Sequence, residues 1–402
     1  MSEPKKPAIL FIEEVSGIGG STVCLYKMMK QLSAGKYKKI IIKYNDDTSY
    51  DIDHINDAAK YRLNQWFGSH ISSVKRKHEG CLTLLYVKFL LIIDYLHRIA
   101  ATCLIILVER IDIVHVNNSL GINFPSIVAA KVLGVPVVSH MRSFEEVYPL
   151  QRMAYEYVNT SIAITKSVEE FYRGRFADSS KIEMIYDGIE EHEIQVTNPD
   201  CLRHEYGMYG SGIVTVGIAA IFMNWKGIDV FIRAMKIVKD ACPDVRGFVV
   251  GDCLPGDTEY KEFLFELTRE LDVGDVVNFT GFRKDVYDVF SSLDVVVHAS
   301  TSPEPFGRVI IEAMALGRPV IATALGGPLE IIEHGHNGLL IEPGDPVALA
   351  EAIITLVSDE KERVRIGKNA ITHVNEHFRQ EDAVRKIEAI YDDLIATRRC
   401  RY

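Results

Sequence analysis

The chain lacks most of the marks that sort a sequence at first sight. Seven cysteines are scattered over 402 residues with no Cys-x-x-Cys pair. That argues against a disulfide framework or a zinc site and suits a reducing compartment. No block of lysine and arginine occurs, and the formal net charge is −10. A nucleic-acid partner is not expected, because such binding needs a basic surface. The early apolar run Ala8–Ile12 is too short for a signal peptide. The segment Cys81–Val108 is very apolar, but Lys88, Asp94, His97 and Arg98 interrupt it. Without a clean run of about 18 apolar residues, no transmembrane helix is expected. The Gly-x-Gly-x-x-Gly dinucleotide fingerprint is missing, and no Asp-x-Asp metal pair stands at a strand end.

What is present reads as a soluble, globular, cytoplasmic protein. Apolar residues make up 48% and charged residues 25%, which excludes a disordered chain. The length exceeds one compact core and suits two domains. Nearly all the negative charge falls in the second half, so the first half is the better candidate for approaching an anionic surface.

Short β-branched runs alternate with longer helical patterns. Expected strands are Ala8–Ile12, Lys39–Lys43, Ile111–Val116, Val135–Ser139, Ser161–Thr165 and Ile182–Ile185. The second set is Gly212–Ile218, Gly247–Val250, Val276–Thr280, Val295–His298, Pro319–Ala322 and Gly338–Ile341. Helical stretches between them include Ser21–Leu32, Asp229–Asp240, Glu259–Leu271 and Val347–Val357. This alternation predicts an α/β protein of two doubly wound parallel sheets. The break falls in the polar stretch Gly188–Ser211, giving domains of 1–200 and 201–379. A last helix, Gln380–Arg399, has no strand after it, and spacing alone does not say which domain it packs on.

Ligands of open parallel sheets bind beyond the carboxyl ends of the strands. Polar or glycine-rich turns at those ends are therefore the candidates. Ser16–Thr22 holds Gly19 and Gly20 and opens a helix, whose free amides suit an anion; a plain strand-to-helix turn is the alternative. His140 and Arg142 follow Val135–Ser139 and could hydrogen-bond a reacting group and hold phosphate, or be structural. Trp225-Lys226-Gly227 offers a point charge for phosphate, or a solvated lysine. The turn Ser302–Arg308 places Glu304 ahead of a helix that begins near Gly307. Glu312 lies inside that helix among apolar residues, where a carboxylate needs a partner. A vicinal diol such as a ribose is one; a helix cap with a buried ion pair is the other reading. Gly326 and Gly327 repeat the glycine-then-helix device and could cradle the same phosphates.

Glu304 and Glu312, eight apart across Pro-Phe-Gly, resemble the two-glutamate signature of retaining glycosyltransferases. The run from Glu304 onward, EPFGRVIIEAMALGRPVIATALGGPLEIIEHGHNGLLIEPGD, is similar to the donor-binding core of glycosyltransferase family 4. VNFTGFRKDV at Val277–Val286 extends the match over nearly the whole second half. The first half matches more loosely, through SGIGG, DIVHVNNS and VPVVSHMR.

The resemblance implies a GT-B fold with a site in the cleft between two Rossmann-like domains, the last helix, about 380–402, crossing back onto the first. It implies a nucleotide-sugar donor as substrate, retention of configuration, and neither cofactor nor obligatory metal. Glu304 would contact the donor sugar, with Phe306 and Gly307 offering backbone amides. Glu312 would bind the ribose, Lys226 would neutralise the diphosphate, and His140 would sit beside the anomeric centre. Gly281, Phe282 and Arg283 would lie near the nucleobase.

One position departs from the pattern. The family usually has an arginine five residues before Lys226, and here that position is Ile221. Either another cation substitutes, Arg142 first, or activity is reduced or lost. Two alternatives to the transferase follow: a non-catalytic scaffold that binds nucleotide-sugar, and a sugar-nucleotide epimerase of the same fold. The acceptor is expected to be a glycan or a lipid-linked molecule, in polysaccharide or glycoconjugate assembly. Leu82–Leu96 is apolar round most of its circumference and follows Lys75-Arg76-Lys77-His78. Such helices are usually buried, which favours a core helix of the first domain. The alternative is an interfacial helix in peripheral contact with anionic membrane.

Overall fold

A computed structural model describes residues 6–13, 20–33, 35–44, 58–63, 81–208, 210 and 212–400. Gly19 lies outside the described residues. Among the described residues, thirteen strands form two wholly parallel sheets. The first holds β1 (Ala8–Glu13), β2 (Lys38–Tyr44), β3 (Ala58–Leu63), β4 (Ile113–Asn117), β5 (Val137–Met141), β6 (Thr160–Ala163) and β7 (Ile182–Met184), in the order β3-β2-β1-β4-β5-β6-β7. The second holds β8 (Val214–Ala219), β9 (Val245–Val250), β10 (Val277–Gly281), β11 (Val295–His298), β12 (Val320–Thr323) and β13 (Leu339–Ile341), in the order β10-β9-β8-β11-β12-β13. The two doubly wound sheets expected from the alternation are present.

β3 escaped the sequence reading. Its residues, AAKYRL, carry no β-branched run and are only partly covered. Among the described residues it is an edge strand, held in register by β2, so pairing rather than burial defines it.

The chain divides into two compact units, Met1–Tyr186 with Glu381–Tyr402, and Asp187–Gln380. The division falls ahead of the 200/201 position read from the sequence. The reason is local: Thr197 and Asn198 are bound to the Asp288 carboxylate of the second unit by bonds of 2.6–2.9 Å. The outgoing and returning segments pair with each other, Ile189 N donating to Phe378 O (2.9 Å) and Gln380 N to Ile189 O (3.2 Å).

Each unit has its own core. In the first, Ile9, Phe11, Ile41, Ile113, Val138 and Ile162 of the sheet pack against Leu25, Met28 and Met29 of the helix Gly20–Gln31. The last helix, Gln380–Arg399, adds Ala383, Val384, Ile387, Ile390, Tyr391 and Ile395 to the same core. Their three- and four-residue spacing forms one helical stripe. In the second unit, Val216, Val249, Val277, Val297 and Ile321 are covered by Phe231, Met235 and Val238, and by Leu349, Ile353 and Leu356.

The helix Cys81–Glu109 corrects an expectation. It is not a core helix apolar all round: Leu85, Phe89, Ile92, Leu96, Leu104 and Leu107 are exposed, Leu96 by 61%. By length and composition it could also cross a membrane, which the sequence reading did not expect. The charges that interrupt the apolar run explain both points. Asp94 and Arg98 are buried, so they face the protein.

Candidate functional site

Parallel strands place their carboxyl ends together, and the strand order decides which ends meet. In the second sheet the order reverses between β8 and β11, which opens a crevice there. Lys226 follows β8, and Glu304 follows β11. Gly227 makes the approach possible: at φ +65°, a Cβ there would fall 1.9 Å from the Ala299 carbonyl oxygen, so only glycine fits. Thr301 N donates to Trp225 O at 2.7 Å and joins the two turns.

The Lys226 ammonium donates to Glu304 Oε2 at 2.7 Å. The same oxygen lies 3.2 Å from His298 Nε2 and accepts from Ser300 Oγ at 3.3 Å. Burial alone pushes the Glu304 carboxyl up. The His298 hydrogen bond and the Lys226 charge outweigh it and bring the group down to about 2. Glu304 is therefore a part-buried, ionised acceptor oriented by three neighbours. The sequence reading missed His298 and Ser300; a histidine as the last residue of an otherwise apolar strand was the available signal.

The backbone around Glu304 is clamped from the β12 side. Gly327 N donates to Glu304 O at 2.8 Å, and Gly326 pairs with Glu304 as an isolated bridge. The expected phosphate cradle at Gly326-Gly327 is thus corrected. The Gly327 amide is already used, and the helix behind it, Pro328–Ile331, is one turn long. These glycines set Glu304 in place.

Gly307 caps the helix Arg308–Ala315 in the left-handed region, as expected. Phe306 is buried, with its ring 5.9 Å from that of Phe378. Glu312 is buried on this helix and accepts from Arg308 Nε at 2.7 Å. Its partner is thus the arginine one turn earlier, the ion pair weighed above, and no ligand is needed to satisfy it. Gly281 is the last residue of β10, and Phe282 follows it. Gly281 O accepts from Gly251 N at 2.9 Å, and Phe282 projects an aromatic ring that is 64% exposed. Arg283 is held by Asp285 and Glu205. Ile221 lies two residues beyond β8 and is exposed.

The first sheet reverses between β1 and β4, and a second polar cluster lies at that point. Glu13, ending β1, accepts from Asn117 Nδ2 of β4 at 2.7 Å, and both are buried. The β4–β5 register sets Asn117 beside His140. Arg142 Nε donates to Asn117 Oδ1 at 2.8 Å, and Arg142 Nη2 lies 3.3 Å from His140 Nδ1. A guanidinium only donates, so His140 Nδ1 accepts and the neutral ring carries its proton on Nε2. Nε2 is buried and unpartnered among the described residues. Burial first, then Arg142 and His115, hold His140 well below the usual histidine range. It can donate a hydrogen bond but is a poor base. Gly20 opens its helix at the same edge, where Asn118 Nδ2 donates to Ser21 Oγ at 3.0 Å. Arg142 is buried inside this network, which leaves it poorly placed as a loose substitute cation.

Residues 214–373, the sheet and helices just described for the second unit, match the family described as glycosyl transferases group 1. N-acetyl-alpha-D-glucosaminyl L-malate synthase of Bacillus anthracis is 28% identical over 298 residues, 71% of this chain and 76% of that protein. D-inositol 3-phosphate glycosyltransferase of Stackebrandtia nassauensis is 31% identical over 203 residues, 49% of this chain and 45% of that one. Among solved structures, HepE of Anabaena in complex with UDP and glucose overlays with a TM-score of 0.78 at 23% identity, covering 96% of this chain and 99% of that one. That likeness is one of fold, and the fold is GT-B. Two parallel-sheet units, with the part-buried Lys226–Glu304 pair at the switch point of the second, make a GT-B chain whose residues 214–373 are similar to the group 1 glycosyl transferases.

Proposed function

We propose that this chain is a retaining, metal-independent glycosyltransferase that takes its sugar from a nucleoside diphosphate donor held by the second unit. The observation that carries the reading is the part-buried Glu304 carboxylate, ionised and aimed by Lys226, His298 and Ser300. A desolvated acceptor of that kind matches sugar hydroxyls, and a cation beside it matches a leaving diphosphate. HepE, which shares the fold, was crystallised with UDP and glucose, and that supports a nucleotide-sugar as the probe to try first.

In this reading the bond from the anomeric carbon to the diphosphate oxygen breaks on the face where the acceptor oxygen attacks. The acceptor proton passes to the departing phosphate oxygen. Lys226 and the amides at the start of Arg308–Ala315 stabilise the charge that develops. Glu304 orients the sugar; hydrogen-bonded by Lys226, His298 and Ser300, it is a weak nucleophile. Glu312 keeps one oxygen on Arg308, so a ribose would meet its other oxygen. Phe282 offers an exposed face for a nucleobase. His140 Nε2 is the atom the first unit's cluster has left to donate to a substrate.

The test is titration of the chain with UDP and UDP-glucose, followed by the anomeric configuration of any transfer product. Binding with retention supports the reading, and an inverted product sinks it. The scaffold reading keeps one specific observation in its favour, Ile221 in place of a second cation. Binding without turnover under every acceptor tried would favour it. Glycan and lipid-linked acceptors both remain within the proposal, as does a cytoplasmic location.

A further inference from the structure

The helix Cys81–Glu109 is built inside out. Its stripe Val87, Leu90, Asp94, Arg98, Thr102, Ile105 and Ile106 is buried. That stripe carries an acid, a base and a hydroxyl. Arg98 lies beside Asp94, and its Nη2 donates to Ile122 O at 2.8 Å. Thr102 Oγ1 lies 3.5 Å from Ser126 Oγ on the helix Phe124–Val132. The opposite stripe, Leu85, Phe89, Ile92, Leu96, Leu104 and Leu107, is exposed along most of a rod of about 43 Å. An ordinary surface helix has the reverse arrangement.

We infer that this face docks flat on an anionic lipid bilayer. Charge selects the occupant. The exposed stripe bears no acid: Asp94 is buried, and Glu109 is tied to Lys38 at the helix end. It does bear Lys88, exposed between Leu85 and Phe89, and exposed Arg110 follows the helix. In sequence, Lys75-Arg76-Lys77, followed by a single acid, Glu79, stand just ahead of it. An apolar face whose exposed charges among the described residues, Lys88 and Arg110, are both cations is the pattern that inserts at the headgroup boundary of an anionic leaflet. The helix cannot cross the membrane in this fold. It links β3 to β4 of one sheet, and Asp94 and Arg98 seat it on the protein. This inference rests on the first unit alone and stands or falls apart from donor binding.

The experiment is flotation of the full-length chain with vesicles of phosphatidylcholine, with and without phosphatidylglycerol. The wild type floats with the anionic vesicles. Leu85→Gln, Phe89→Gln and Ile92→Gln together lower that fraction by about tenfold or more with an unchanged Tm, and Lys88→Glu weakens it selectively on anionic vesicles. Four results overturn the inference: a wild type that floats with neither vesicle; a triple variant that floats like the wild type; a wild type that sediments as a dimer which the triple variant splits; and a triple variant with a lowered Tm, which would show the face covered by the chain itself.

Discussion

Lys226 Nζ and Glu304 Oε2 lie 2.7 Å apart although 78 residues separate them in sequence. They meet because β8 and β11 are neighbours where the second sheet reverses its order, and because Gly227 lets one turn close on the other. The predictions below start from that pair.

Glu304→Gln keeps the shape and removes the charge. Lys226 then loses its charged partner, and the sugar loses its strongest acceptor. Turnover should fall by about 10²–10³-fold, while Tm moves by only a few degrees. Lys226→Met should cost turnover similarly and weaken UDP binding as well. Steady-state rates and calorimetric titration of both variants check this; wild-type turnover in either would remove Glu304 and Lys226 from the site.

Gly326→Ala tests the clamp behind Glu304. The new Cβ would lie 2.4 Å from the Glu304 carbonyl oxygen, at a φ of +75°. The loss should be about 1–3 kcal/mol from the strained backbone, seen in denaturant unfolding, together with a loss of donor affinity. A neutral Gly326→Ala would mean that the turn relaxes without disturbing Glu304.

Ile221→Arg restores the cation expected five residues before Lys226. If the donor diphosphate lies at this edge, the variant should bind UDP more tightly than the wild type, by about tenfold, as for one added charge-assisted contact. Isothermal titration decides it. Unchanged affinity would place the diphosphate elsewhere.

His115 and His140 carry a pH signature. Both are fully buried, and burial and Arg142 depress them, His115 to about 3 from an ordinary 6.5. The unfolded chain takes up protons below about pH 6.5 and the folded chain does not. Their contribution is therefore intact above that pH and is lost as pH falls; for His115 the loss runs down toward pH 3, at about 1.4 kcal/mol per pH unit. Unfolding midpoints measured across that range should flatten in His115→Gln. Glu304 has the same sign but a lower window: it stays ionised until pH falls toward about 2, so it sets no acid limb near neutrality.

Much of the fold was legible because it repeats. Buried parallel strands read as short β-branched runs, and twelve expected segments correspond to observed strands, often shifted by a residue or two. β3 did not, because edge pairing needs no apolar run. The two-glutamate motif singled out Glu304 and Glu312, yet their partners were unreadable. Arg308 was in view one turn from Glu312, but only rotamers bring Nε to 2.7 Å. His298 and Ser300 needed the turn of residues 299–307 to fold back on β11. The helix Cys81–Glu109 misled for a related reason. Composition gives the amount of apolar surface, and only the position of Asp94 and Arg98 against Ile122 tells which side faces out.

By itself, then, the order of residues determined the two parallel sheets, the caps and turns at their strand ends, and the identity of the acidic pair, since these follow from period, propensity and short spacing. The tertiary structure alone decided that Lys226 answers Glu304, that the Gly327 amide is consumed by backbone, and that the proton of His140 rests on Nε2. Those relations join residues from different strands. Strand order and packing set them, and neither is encoded in any local stretch of the chain.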